Sequence, residues 1–344
     1  MSAFTEFITT NKGYIELAAA AAAVFGAVFA TWKYLRGKTR RQLISEVGTS
    51  FQTIVKNLVN GEEQEQLVAA ILIRRFFRNQ SEYRIGKDLP YSDESVEVIS
   101  ALLKRPDSTD ANGEPGISDI VRKTLADGLR EAPRLVGADF QNANLGDVFL
   151  GIKDSDGIVV DLSAADFYGA SLQGSFRGIV GEKPIFMAAD ANNVVLKESK
   201  LKKADFRWAR LNNCKFGEAN LEGCVFGETS IRNCEFDSAT VQNCEFDSAT
   251  LIDCSFRSTK FVGQSSFAGT EISDCEFVGC DNSGKDKQRI LIGSILHFEK
   301  TKVRNTTFRN YNFSSVKPDQ FTPTGCTFEN CEGYDHLVNV KASA

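Results

Sequence analysis

Histidine is almost missing from this chain: there are two in 344 residues, His297 and His336. Neither sits in a motif that would supply the base of a Ser-His-Asp triad. A glycine-rich phosphate loop is also missing, since Gly113-Glu114-Pro115-Gly116 has neither the spacing nor the following Lys-Ser/Thr. There is no excess of positive charge; the formal net charge of −5 gives no bulk affinity for nucleic acid or acidic membranes, and no direct nucleic-acid binding is expected. Metal ligands are scarce. Cys326, Cys331 and His336 stand five apart, but no fourth ligand accompanies them and the rhythm described below accounts for both cysteines. Catalytic residues, cofactors and metals are therefore not expected.

Long apolar runs are lacking too. Leu17 to Trp32 is uncharged for sixteen residues between Glu16 and Lys33, short for a spanning helix, and it includes six consecutive alanines. Tyr14 and Ile15 on one side and Tyr34 and Leu35 on the other extend it, with Lys33 free to snorkel. Lys33, Arg36, Lys38, Arg40 and Arg41 follow it, against Lys12 alone ahead. A cleaved signal peptide has the opposite order, and the positive-inside rule places everything after residue 36 in the cytoplasm. The expectation is a tail over 1–13 and a transmembrane helix over 14–36, the alternative being a helix lying on the membrane or in a partner's groove.

What the chain has is a period of five. Leu196, Leu201, Phe206, Leu211, Phe216, Leu221 and Phe226 begin a series of bulky apolar centres that runs to Phe261 without a slip. Two residues before each centre stands a smaller one, including Ala204, Ala209, Ala219, Cys214, Cys224, Cys234, Cys244 and Cys254. A period of five fits neither a helix nor a flat strand, and self-similarity at a fixed period marks a solenoid. All nine cysteines take the small position, so they read as free, buried thiols in a reducing compartment, not as disulfides. The rhythm is interrupted at 153–157, at 177–193 around Pro184, and at 282–289. These interruptions read as projecting loops, where function concentrates.

Ala204-Asp205-Phe206, Ala219-Asn220-Leu221 and Ala138-Asp139-Phe140 resemble the repeat unit of the pentapeptide-repeat family, over roughly residues 138–331. The resemblance implies a mainly β chain: a right-handed quadrilateral parallel β-helix of twenty residues per coil. On that basis Phe216, Phe236 and Phe256 stack on one face, and Phe226 and Phe246 on the opposite one. About seven coils give an axis of roughly 30–35 Å. Residues 38–134 read as an α-helical domain, with Leu43, Ile44, Val47, Phe51, Ile54 and Leu58 on one helix face. Leu67, Val68, Ile71, Leu72 and Phe76 are expected inward on a second helix, followed by helices after Ser92 and Ser118. The domains are thus 1–13, 14–36, 38–134, the β-helix over 135–331, and a C-terminal tail over 332–344. This order looks like the membrane-anchored pentapeptide-repeat proteins of bacteria.

Charge along the repeats is uneven, basic from Lys197 to Lys215 and acidic from Glu218 to Asp281. Glu218, Glu222, Glu228, Glu235, Asp237, Glu245, Asp247 and Asp253 are the candidate interaction surface. The resulting expectation is a non-catalytic scaffold, single-pass in a bacterial inner membrane with its C-terminal bulk in the cytoplasm. It presents the prism to an unidentified protein partner or to a second copy in a homo-oligomer. Resemblance to relatives that imitate duplex DNA supplies one alternative, an inhibitor of a type II topoisomerase. A carbohydrate-active enzyme using a carboxylate pair among Asp205, Glu235, Asp237, Glu245 and Asp247 is the second, set against a merely solvated outward face.

Overall fold

The computed structural model describes residues 40–78, 81–85, 88–106, 116–132, 134–151, 159–279, 290–291 and 296–338. The segment 14–36 lies outside them. Among the described residues, no helix is long and apolar enough to cross a membrane.

A corner every five residues sets the path of the solenoid. Each fifth residue from Gly178 to Gly263 has a positive φ, and the non-glycine corners fall between 50° and 60°. Left-handed backbone disfavours a side chain unless glycine or asparagine supplies it, yet Glu198, Lys203, Trp208 and Glu218 all adopt it here. The corner amide is held from the next coil: Glu218 N–H donates to the Asp237 carbonyl at 3.1 Å and Asn233 N–H to Ile252 at 2.9 Å. Alternate corners are closed within the coil as well, as where Ala219 N–H donates to Phe216 O at 3.0 Å. Such turns demand a positive φ at their third residue.

Four corners return the chain to its starting side. Residue 205 faces 225, 210 faces 230, 215 faces 235 and 220 faces 240, all in parallel. The result is a parallel β-solenoid of about seven turns with four ladders, named below after Phe206, Leu211, Phe216 and Leu221. Incomplete turns at both ends bring the Leu211 ladder to nine strands. The Leu221 ladder has five strands, from Val180–Glu182 to Lys260–Val262.

Parallel stacking forces like onto like. Phe206, Phe226 and Phe246 stack with ring centroids 4.7–4.8 Å apart, and Phe216, Phe236 and Phe256 do the same in a second column. The columns meet edge-to-face at 6.3 Å. Offset or T-shaped contacts are the favourable aromatic geometries, but axial spacing here is fixed by the strands, so stacked rings follow the ladder. The small position is more than small. Thr229 Oγ1 donates to Phe206 O at 2.7 Å and Thr259 Oγ1 to Phe236 O at 2.9 Å. Cys214, Cys234 and Cys244 send their thiols to Ala191 O, Leu211 O and Leu221 O at 3.4 Å. The eight described cysteines are free. Hydrogen bonding to Cys214, then burial, pushes the Cys234 thiol up, and Cys224 rises likewise against Cys244.

Residues 177–193 do not form a projecting loop. Val180–Glu182 pairs with Lys200–Lys202, and Phe186 stacks on Phe206 at 4.9 Å. The rhythm is disguised because large and small exchange places: buried Ile179 fills the small position and Gly181 the centre, opposite Leu201. Gly174, at φ 113°, allows a coil one residue short; a Cβ there would collide with the Val148 carbonyl.

The helices cover the first coil. Residues 40–60 form the first (α1), followed by α2 (Glu63–Ile73), α3 (Ser92–Leu103) and α4 (Asp119–Gly128). On α2 the buried face is Ala69, Ala70 and Ile73, while Val68 and Ile71 are 56% and 54% exposed, which corrects the inward face read from periodicity. Two adjacent alanines let α2 lie closely against α4, turning the larger side chains outward. Leu43 and Ile44 are exposed as well. The Ser100 hydroxyl donates to the Asp139 carbonyl, Lys104 meets the Asp139 carboxylate at 2.7 Å, and Arg130 Nε donates to Gly151 O at 2.9 Å. At the other end Glu332 still pairs with Asn312. Tyr334 stacks on Phe328 and the turn Asp335–Val338 buries Leu337, so part of the 332–344 segment is a lid, not a tail. Exposed strand edges invite association, and these elements blunt both ends.

Two substitutions test this account by chemical denaturation. Asn233→Val puts a β-branched residue at a left-handed corner and should cost about 1–2 kcal/mol, whereas Asn233→Gly should be near neutral. Thr229→Val should cost about 1 kcal/mol by removing the inter-coil hydroxyl bond, while Ser199→Ala, at an equivalent position where the buried hydroxyl has no partner, should cost nothing.

Candidate interaction surface

Each repeat turns three residues outward, and consecutive repeats face different sides. The eight candidate carboxylates are therefore dispersed. Glu228, Glu245 and Asp247 lie on the Phe206 side, Glu218, Glu235 and Asp237 on the Phe216 side, Asp253 on the Leu211 side and Glu222 on the Leu221 side. Four of them hold the scaffold together. Asp237 accepts from Ser255 Oγ at 2.5 Å and Arg257 N at 2.9 Å, one coil on. Asp247 accepts from the Ser266 hydroxyl and from Ala268 N, the latter at 3.0 Å. Glu235 pairs with Lys197 at 3.3 Å and Glu222 with Lys202 at 3.1 Å. Glu218, Glu228 and Asp253 make no ion pair or side-chain hydrogen bond among the described residues. Asp205, offered for a catalytic pair, accepts from Arg207 N at 3.1 Å and from its guanidinium.

The Phe216 side is a run of ion pairs between coils: Arg177–Glu198, Lys197–Glu235 and Arg257–Glu276. Exposed pairs contribute little individually, but they leave this side neutralised. The Leu211 side is rich in amides, with Asn212 donating to Asn192 at 3.2 Å. The Leu221 side is basic in its lower coils, where Lys183, Lys200, Lys202 and Lys203 crowd together.

The Phe206 side differs from these three. Tyr168 and Trp208 are 45% and 48% exposed there, far above what an aromatic ring needs for a place in the core. Met187 stands between Tyr168 and Arg207 on the ladder, its sulfur 3.8 Å from the Arg207 guanidinium, which in turn sits 5.5 Å over the Trp208 ring at the adjoining corner. Ile185 and Val225, paired through Asp205, add half-buried apolar surface. At the foot of this side a groove of about 510 Å³ opens between α3 and the first coil, lined by Asp93, Glu97, Lys104, Arg134, Val136 and Asp139. Lys104, then the Gln141 backbone amide, holds the Asp139 carboxyl below its usual range. Trp208 was missed in the sequence reading. Its signal was an aromatic residue at a corner where neighbouring coils place Asn142, Gly169, Ala188, Glu228, Ser248 and Gly269.

No catalytic constellation forms among the described residues. His336 Nε2 lies 2.6 Å from Val316 O, and Cys326 and Cys331 point their thiols at the carbonyls of Val303 and Phe308. His297 is exposed, 3.7 Å from Glu299. No group of three metal-ligating side chains is assembled among the described residues.

Residues 192–227 match the family model for pentapeptide repeats, in eight copies. No curated protein matches. Among solved structures, full-length QnrB1, a plasmid-mediated fluoroquinolone resistance protein, aligns at 14% identity over 57% of this chain and 87% of its own, with a TM-score of 0.33. HetL, involved in heterocyst differentiation regulation in the cyanobacterium Nostoc sp. strain PCC 7120, aligns at 16% identity over 60% and 90%, TM-score 0.29. A protein of the Arabidopsis thaliana thylakoid lumen reaches 30% identity over 31% and 63%, TM-score 0.16.

Asp237→Ala should lower stability by about 1–2 kcal/mol, since two donors of the next coil lose a charged acceptor. Asp237→Asn, which keeps an oxygen in place, should lose less, and Glu218→Gln nothing measurable. Thermal melts of the three variants check this ranking.

Proposed function

Because the chain is a member of the pentapeptide-repeat family, we propose that it is a non-catalytic, membrane-anchored scaffold whose right-handed quadrilateral prism docks a cytoplasmic protein partner. In this reading residues 14–36 are the single span, in a bacterial inner membrane, and the helices α1–α4 join the span to the prism. One observation carries it. The inward positions are spent on packing, while the outward ones are only partly so, and on one side they expose a tryptophan and a tyrosine beside a groove. Tryptophan and tyrosine are the residues that interfaces most often use as anchors.

The rival reading, a topoisomerase inhibitor imitating duplex DNA, needs like charges following one another along an axis. On the Phe206 side the carboxylates are interrupted by Ile185, Met187, Val225 and Gly227, and on the Phe216 side by Lys197, Lys215 and Arg257. A polysaccharide-cleaving site needs a matched pair of carboxylates flanking the bond, and Asp237 and Asp247 are committed to backbone amides.

Two measurements test the proposal on the full chain. Fractionation of expressing cells should place it with the membranes, and Phe25→Asp with Phe29→Asp should release it. A photo-crosslinking residue at position 187, 198, 212 or 222, one on each side of the prism, should trap a discrete protein from one side only. Trapping from no side would end the scaffold reading; retention of the double aspartate variant in the membrane fraction would end the anchor.

A further inference from the structure

The Phe206 side carries more than exposed rings. From the groove at Asp139 the ladder passes Asp166, Ile185, Asp205 and Val225 to Glu245, a path of about 24 Å at the strand spacing. That distance spans roughly seven residues of extended chain. Along it an apolar strip formed by Tyr168, Met187 and Trp208 is bordered by carboxylates. Asp93 and Glu97 rim the groove and Glu228 stands one coil above Trp208; none of the three has an ion pair among the described residues. Glu245 adds its field at the Arg207 guanidinium. The Trp208 ring already receives that guanidinium on one face, which shows its π-surface working as a cation acceptor in this setting. The residue as a whole is 48% exposed.

Resting on the scaffold reading above, we propose that this side binds an extended protein segment in which arginine or lysine alternates with apolar residues. Its apolar side chains lie on Tyr168, Met187 and Trp208; its cations meet Glu228, Glu245 and the groove carboxylates. Alternation is the point. A uniformly basic ligand would face Ile185, Met187 and Val225 without compensation, and a uniformly apolar one would desolvate the rim. Among the described residues the other three sides expose no large aromatic ring, so this side of the prism is selected.

The test uses purified full chain and a fluorescein-labelled peptide of about ten residues alternating arginine and leucine, followed by fluorescence anisotropy. Saturable binding should weaken about tenfold with Trp208→Asn, as expected for a central aromatic anchor. Asparagine tolerates the left-handed corner, and an unchanged melting temperature confirms the fold. Glu228→Gln with Glu245→Gln should weaken binding about threefold and flatten its salt dependence, and Glu198→Gln on the Phe216 side should change nothing. Equal binding of a glutamate-leucine peptide, or indifference to Trp208→Asn, overturns the proposal. So does light scattering that shows a dimer dissolved by Trp208→Asn, which assigns this side to a second copy. If the peptide fails while a crosslinker at position 187 still traps a partner, the cationic segment is wrong and the scaffold stands. If crosslinking fails on every side, the scaffold falls by its own experiment.

Discussion

The left-handed residue at each corner is the constraint on which this molecule depends. It turns the chain after five residues, aims its own amide along the axis, and leaves one bulky and one small side chain inside. The conformation disfavours most side chains by about 1–2 kcal/mol relative to right-handed backbone. It persists because corner amides are held by the coil beyond, as Glu218 is by Asp237. Stability is thereby cooperative between neighbours rather than local, as in other repeat arrays. Interior identity follows: a phenylalanine column is the consequence of stacking at strand spacing, and the thiol or hydroxyl at the small position ties each coil to the centre carbonyl of the one before.

How much of this was legible depended on whether side-chain size tracked position. From Leu196 to Phe261 it does, and the spacing of five could be read directly, while the twenty-residue return came from the resemblance to the family. It fails at Ile179 and Gly181, where bulk and void trade places, so a regular coil looked like an insertion. The short coil at Gly174 added a register change that hydrophobicity does not encode. On α2, periodicity could not distinguish Val68 and Ile71 from Ala69 and Ala70, because close helix packing rewards small residues over apolar ones.

The charged exterior was read least well, for a geometric reason. Neighbours in sequence are on different sides of a four-cornered coil, and neighbours in space are twenty residues apart. Acids that look continuous from Glu218 to Asp253 are spread over all four ladders. The meaningful run is the one that skips: Asp205, Val225, Glu245. Read in steps of twenty, Trp208 stands above Ala188 and below Glu228, and its oddity becomes visible.

A rigid prism also changes what binding costs. Outward side chains spring from backbone fixed at every corner, so a partner ordering itself on one side need not order the scaffold as well. The entropy of association then falls chiefly on the ligand. That favours short extended segments over large folded surfaces, because each added coil repeats the same spacing along the side. The same rigidity removes induced fit as a route to specificity, leaving only the pattern of outward residues to discriminate partners. Three sides have patterns that are self-compensated, amide-rich or basic in the lower coils. The fourth alternates rings and carboxylates beside a groove built by α3, whose Ser100 and Lys104 also seal the first strand. The element that blunts the edge of the solenoid is thus the one that makes the recess, which links stability of the cap to the shape of the surface it borders.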